Sequence, residues 1–284
     1  WSVEICEEVI RASGKGIEAS LGGFHAGKVI AANDTINGQK PEPDLDSKAP
    51  AMLELLELGA DRCTDYQDLS YANEFRQKVD EAVMSAKSDP RQDEVWTEAI
   101  RHLALWMCYE DVIRVADLKT RPDRFNRVRA EVQAKEIEIV HVTEHFKPGI
   151  DEVASIFPTF IGQRLMSWAL RNNKEKFHVG LHIRSTSLWG FLMLRGLARL
   201  RFLRRSSMRF NQEQSARNAW WKAMQILTPR STEYARALAG LPQVLKGYGE
   251  TQVRGRQSYV RIWNAYVQPV LDGHQDIDSS TSLL

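Results

Sequence analysis

Apolar residues recur at helical spacing along most of the chain, and this periodicity predicts a multi-helix protein. Val3, Cys6, Val9 and Ile10 mark a first helix, Gly14-Lys15-Gly16 breaks it, and Ile17, Leu21, Phe24 and Val29 mark a second. Residues 33–50 carry Asn33-Asp34, Asn37-Gly38 and three prolines (Pro41, Pro43, Pro50) with little apolar content, which predicts a linker. Further helices are expected over Met52–Leu58, Tyr71–Met84, Val95–Lys119 and Pro122–Gln133, with Pro122 suited to a first turn. Helices are also expected near Ile150, over Phe160–Leu170, and over Leu188–Arg205 with Phe210–Leu227 as its partner. Pro229, Pro242, Gly247 and Gly249 punctuate shorter helices, and Thr251 stands where it could cap the last, whose inward seam would be Val253, Val260, Trp263 and Val267.

Only 137–145 alternates with a period of two, so the fold class is mainly α with at most one short β segment there. The domain reading is two helices in 1–32, a linker over 33–50, a helical domain over 51–268 and a disordered polar tail over 269–284. No internal repeat is visible, which argues against a solenoid.

Composition narrows this further. With 38 basic against 37 acidic residues, overall charge gives no drive toward nucleic acid or membrane, so either role would need a local patch. Cys6, Cys63 and Cys108 are odd in number and widely spaced, which fits free thiols in the cytoplasm. The most apolar stretch, Leu188–Leu203, is interrupted by Arg195, Arg199 and Arg201, so no membrane span is expected. The chain starts at Trp1 within a helical pattern, so it is expected to be part of a longer polypeptide.

Four constellations could carry chemistry. His141-Val-Thr-Glu144-His145 has the H-x-x-E-H letters of a zinc site, but that chemistry needs both histidines on one helical turn, and the period-two pattern and Pro148 favour a strand. Between Arg184 and Arg209 stand seven arginines without an acid; Arg195, Arg199, Arg201, Arg204 and Arg205 are the candidate partner interface. The alternative is that they pair with acidic helices of the same assembly while Trp189, Phe191, Leu192 and Leu197 form core. Lys246, Gly247, Gly249, Arg254 and Arg256 surround a helix start that could cradle phosphate, although Gly247 also fits a plain helix C-cap. Glu110 with Arg114 and Asp117 with Arg121 are spaced as helix-supporting pairs, in which a nearby cation holds each carboxylate ionised. No C-x-x-C set, no Gly-Asp-Gly thiamine diphosphate signature and no G-x-S-x-G elbow is present, so no catalytic residue, metal or cofactor is assigned to this chain.

Several stretches together resemble one family. IRASGKGIEASLGGFHAGK, within Glu7–Lys28, is similar to the closing helices of the gamma-type domain of 2-oxoacid:ferredoxin oxidoreductases. RHLALWMCYEDVIRVADLKTRPDRFNRVR (Arg101–Arg129) and LPQVLKGYGETQVRG (Leu241–Gly255), with TEHFKP and LWGFLMLRGLARLRFLRR between them, resemble the helical domain attached behind it in indolepyruvate oxidoreductase beta subunits. The resemblance implies oxidative decarboxylation of an aryl 2-oxoacid with coenzyme A to an acyl-CoA and reduced ferredoxin. It implies a catalytic alpha subunit as partner, carrying thiamine diphosphate and iron–sulfur clusters, with ferredoxin reached through the complex. It makes 1–32 the end of a truncated gamma-type domain, and this chain a structural or docking portion. The alternative is a standalone helical module for a polyanion or an acidic protein partner.

Overall fold

The computed structural model describes residues 48–85, 90–135, 137–174, 177–245, 247 and 250–277, together with Val3, Glu7, Arg11, Ile17, Glu18 and 20–25. The chain divides into two units between Pro50 and Ala51. In the first, the described residues are helical, and Glu7 pairs with Arg11 one turn on, at 3.0 Å, and approaches His25 at 3.4 Å.

The second unit is built from α1 (Lys48–Tyr66), α2 (Leu69–Ser85), α3 (Pro90–Met107), α4 (Val112–Lys119) and α5 (Pro122–Glu131). A short strand β1 (Thr143–Phe146), helices α6 (Ile150–Ile156) and α7 (Thr159–Arg171), and strand β2 (Leu181–Arg184) follow. Then come α8 (Leu188–Arg199), a 3₁₀ segment (Leu200–Ser206), α9 (Met208–Leu227), α10 (Thr232–Gly240), a second 3₁₀ segment (Leu241–Leu245) and α11 (Glu250–Ile262). A π turn (Trp263–Val267) and α12 (Gln268–Leu271) close the series. The fold is mainly α.

Capping side chains set several helix starts. The Asp68, Ser187, Ser207 and Ser231 side chains each accept the backbone N–H three residues on, starting α2, α8, α9 and α10. Asp111 does the same for α4, accepting from the Arg114 N–H at 2.6 Å. This overturns the expectation of one helix over Val95–Lys119: the chain leaves the helix after Met107 and restarts at Asp111. The π turn has a similar local cause, because Pro269 has no N–H to give to the carbonyl one turn back.

The β segment differs from its expectation. The strand is Thr143–Phe146 and it pairs antiparallel with Leu181–Arg184, a second strand where none was expected. Ile137, at 91% exposure, and Ile139 lie outside the strand and are exposed, so the alternation there marks no buried face. Glu144 is buried and anchors the hairpin to Lys119 of α4, at 2.7 Å, and to Arg124 of α5. Residues 269–277, expected in the disordered tail, belong to the body: Val270 is buried, and Leu271 and Ile277 pack on the core. Most of the expected linker lies outside the described residues, and 48–50 are helical. Among the described residues no helix is long and apolar enough to cross a membrane.

The main core gathers α1, α2, α3, α9 and α10 with the end of α11. A relay of rings runs through it, Trp96 to Trp221 to Trp220 to Trp106 to Tyr259 to Trp263, with successive centroids 5.5 to 5.9 Å apart. Three of the indole N–H groups are satisfied, Trp220 donating to the Leu238 carbonyl, Trp221 to the Lys78 carbonyl and Trp106 to Glu213, whereas the buried Trp96 N–H has no partner among the described residues. α8 packs chiefly on α4, where Leu194 and Ala198 meet Ala116 in a separate small core, so α9 is not the partner the sequence suggested.

Arg204 locks the two regions together. At 1% exposure, its guanidinium donates through Nε and Nη2 to both Asp111 oxygens, at 2.6 and 3.1 Å, and through Nη1 to the Tyr66 carbonyl and Gln67 Oε1. It also lies over the Tyr66 ring at 4.0 Å. Removing one partner strands a buried charge, so Arg204→Met or Asp111→Leu should each cost about 3–5 kcal/mol in urea unfolding, with the double variant costing less than the sum. Trp220→Ala should lose a similar ~3–5 kcal/mol through the cavity it opens in the ring relay, read by the same denaturation curves.

Candidate functional site

Two features could meet another molecule: the arginine-rich face of α8 and its 3₁₀ extension, and a cavity between α3, α9 and α11.

Of the five arginines expected at a partner interface, Arg204 is not on the surface at all, since it is consumed by the internal lock described above. The reason is geometric: the 3₁₀ segment turns Arg204 inward toward Asp111 while leaving its neighbours outside. Arg205 is paired with Glu74 of α2, and Arg195 reaches Asp117 at a loose 3.4 Å while half exposed. Arg209 approaches Glu213. Arg184, Arg199 and Arg201 are exposed, and none has a carboxylate partner among the described residues. The internal-pairing alternative therefore describes part of the set.

The apolar residues of α8 are also rearranged from expectation. Trp189 is 81% exposed, and Leu188, Leu192 and Met193 are exposed with it, as is Phe202 just beyond. Phe191 and Leu197 are half-buried, and of the helix's residues Leu194 and Ala198 are buried in the small core with Leu197 packed against it. A helix apolar all round that packs on one neighbour along a single seam must leave its other faces open. The outer face of α8 is thus an apolar strip edged by Arg195, Arg199 and Arg201.

Behind it, Arg114 and Arg121 converge on Asp65 at the end of α1 and on Asp117, with Asp65 contacts of 2.7 and 2.8 Å. The Asp117–Arg121 helix pair forms as spaced, but Arg114 takes Asp65 and Asp117 in place of Glu110. Partial burial alone would raise Asp65, yet hydrogen bonds from Arg121 and Arg114 outweigh it and hold the carboxyl below its ordinary range.

The second feature is a cavity of about 320 Å³ lined by Arg62, Cys108, Tyr109, Arg209, Glu213 and Arg256, among others. Gly247 also lines it, with φ +119°, a conformation that favours glycine; a Cβ there would meet the Thr251 methyl at 2.6 Å. Of the residues expected to cradle an anion, Gly247 and Arg256 are brought to this cavity, Arg254 is exposed elsewhere, and Lys246 and Gly249 lie outside the described residues. Arg256 is already engaged, donating to Glu213 at 2.6 Å, while Glu213 also accepts the Trp106 indole N–H at 2.8 Å. Burial pushes the Tyr109 hydroxyl up, so it stays protonated in the cavity wall. The expected inward seam holds at Val267, which is buried, and at Trp263, which packs on the core, but Val253 and Val260 are exposed and Tyr259 is buried instead.

The H-x-x-E-H letters do not converge on a metal. Glu144 is buried against Lys119 and Arg124, and His145 turns toward His182 across the hairpin, ring centroids 4.5 Å apart. Among the described residues no three His, Cys, Asp or Glu side chains converge to hold a metal. Cys63 and Cys108 face one another inside the core, which does not fit the ligand set of an iron–sulfur cluster.

A family model described as a family of unknown function (DUF6537) matches residues 52–265, most of the chain. The chain belongs to this family. Neither the curated proteins nor the solved structures give a match. The matched span runs from the first full turn of α1 into the π turn, so it includes the small core, most of the main core, the hairpin, the α8 face and the cavity.

The Asp65 cluster carries a pH signature. A carboxyl held below its unfolded value of about 3.9 contributes stability that is fully present above that value and is lost as pH falls through the folded one. The urea midpoint should therefore drop on acidification below about pH 4, and Asp65→Asn should drop less over the same interval; equal slopes in the two proteins would show that the cluster contributes nothing.

Proposed function

We propose that this chain is the helical, non-catalytic portion of an indolepyruvate-type oxidoreductase beta subunit, which supports a thiamine diphosphate and iron–sulfur bearing alpha subunit during oxidative decarboxylation of an aryl 2-oxoacid to an acyl-CoA. The observation that carries this reading is where the resembling stretches go. Arg101–Arg129 supplies Trp106 to the ring relay and Asp111 to the central lock. Leu188–Arg205 supplies Arg204 to the same lock. Leu241–Gly255 closes on itself, with Gly255 so near the Val244 carbonyl that a Cβ would lie 2.2 Å from it. The residues of the resemblance hold a scaffold together, as expected of a part whose chemistry is housed in another polypeptide.

The docking face in this reading is the outer side of α8. Trp and Arg are the residues that most often anchor protein interfaces, and an exposed apolar strip with a charged rim is the kind of surface a partner covers. Trp189, Met193 and Phe202 form the strip, and Arg195, Arg199 and Arg201 the rim.

Capture of the catalytic alpha subunit by immobilised chain tests the reading. The Arg195→Glu/Arg199→Glu double variant and Trp189→Ser should each weaken capture by roughly tenfold or more, the effect of losing one interface anchor. Unchanged capture would remove the docking role. Reduction of ferredoxin by the isolated chain, given indolepyruvate and coenzyme A, would remove the non-catalytic reading.

A further inference from the structure

Two of the three cysteines are brought together by the fold. Gly59 of α1 lets the helix lie against Phe75 and Ala104, since a Cβ there would already be 3.1 Å from the Ala104 methyl. One turn beyond that close approach, Cys63 of α1 meets Cys108 at the end of α3, with Sγ atoms 3.7 Å apart and no bond between them. A disulfide needs the sulfurs at about 2.05 Å, a closure within reach of side-chain rotation when the sulfurs already touch.

Access and charge distinguish this pair from inert core thiols. Cys63 is fully buried, whereas Cys108 lines the 320 Å³ cavity beside Arg62. Arg217 of α9, at 0% exposure, donates from Nη1 to the Tyr71 hydroxyl, which in turn donates to the Met107 carbonyl next to Cys108. Its Nε and Nη2 have no hydrogen-bond partner, and among the described residues no carboxylate pairs with it. A buried guanidinium without a counter-charge is costly; its charge acts on Cys63, while Arg62 and Arg114 act on Cys108.

We propose that Cys108 and Cys63 are a peroxide-reactive dithiol, Cys108 attacking and Cys63 resolving, which closes reversibly to an intrachain disulfide. In the first step the Cys108 sulfur attacks one oxygen of hydrogen peroxide. The S–O bond forms and the O–O bond breaks, and the departing hydroxide takes the proton from the Cys108 thiol to leave as water. In the second step the Cys63 sulfur attacks the Cys108 sulfenic acid. The S–S bond forms, the S–O bond breaks, and the hydroxyl leaves as water with the Cys63 proton. Two electrons pass from the two sulfurs to the peroxide, and an external dithiol returns them by exchange. The order of events follows the environment: the Cys63 hydrogen bond, opposed by burial and helped by Arg62 and Arg114, holds the Cys108 thiol below its ordinary range, while the hydrogen bond to Cys108 and burial push Cys63 up.

The test uses the full chain carrying Cys6→Ala, treated with equimolar hydrogen peroxide, quenched with N-ethylmaleimide under denaturing conditions and weighed intact. The expected product has lost two hydrogens, takes up no maleimide, and yields a Cys63–Cys108 linked peptide that dithiothreitol separates. Cys63→Ser, shown folded by circular dichroism, should stop at a dimedone-trappable sulfenic acid on Cys108. Arg62→Gln should slow thiol loss several-fold. Two maleimides on the peroxide-treated wild-type pair would overturn the proposal, and so would oxidation of Cys108 to sulfinic acid with Cys63 still alkylatable.

Discussion

A guanidinium buried away from water sets the arrangement of this body. Arg204 comes from a 3₁₀ segment late in the chain, Tyr66 and Gln67 from the end of α1, and Asp111 from the start of α4, so three distant stretches are fixed by one side chain. Asp111 serves two purposes at once, because one oxygen also accepts the Arg114 N–H and begins α4. A planar fork with five donors suits this geometry, and a lysine could not hold both Asp111 oxygens and two further acceptors. The cost of burying the pair is repaid only when every partner is in place, which makes the join between the large and small cores specific.

Much of the helical architecture was legible in the sequence because apolar periodicity reports burial, and burial is what most of these helices do. α2, α5, α7 and α9 follow their patterns closely. The pattern failed where an apolar residue had no place to be buried. Trp189, Leu192, Val253 and Ile137 have the same composition signal as core residues, and only the packing of neighbouring elements reveals that they face outward. The break between α3 and α4 was hidden in a continuous apolar run, although Asp111 ahead of Val-Ile is a capping signal that could have been read. β2 was missed although Leu181-His182-Ile183-Arg184 alternates apolar and polar residues, because a run of four is short and most of it is exposed.

The candidate sites were legible in a different degree. The arginine cluster stood out, but nothing in the order of letters distinguishes Arg204, which is internal, from Arg199 and Arg201, which are not; that depends on a 3₁₀ turn rotating one side chain inward. Gly247 was readable as a turn glycine, and its positive φ agrees with that. Cys63 and Cys108 gave no motif, since 45 residues separate them and the contact arises only from the parallel course of α1 and α3 past Gly59. Membership of a family of unknown function places the small core and most of the main core within one matched unit without saying what that unit does.

The division into two cores has a dynamic consequence. α4, the β1–β2 hairpin and α8 rest on a few side chains, chiefly Ala116, Leu194 and Ala198, whereas the ring relay is enclosed by five helices. Elements held by so little buried area are expected to have the lower local stability, so backbone amides in the smaller assembly should exchange before those around the enclosed tryptophans. The face bearing Trp189 therefore sits on the smaller of the two packed regions, and a partner seated there would add buried area where the chain itself supplies least.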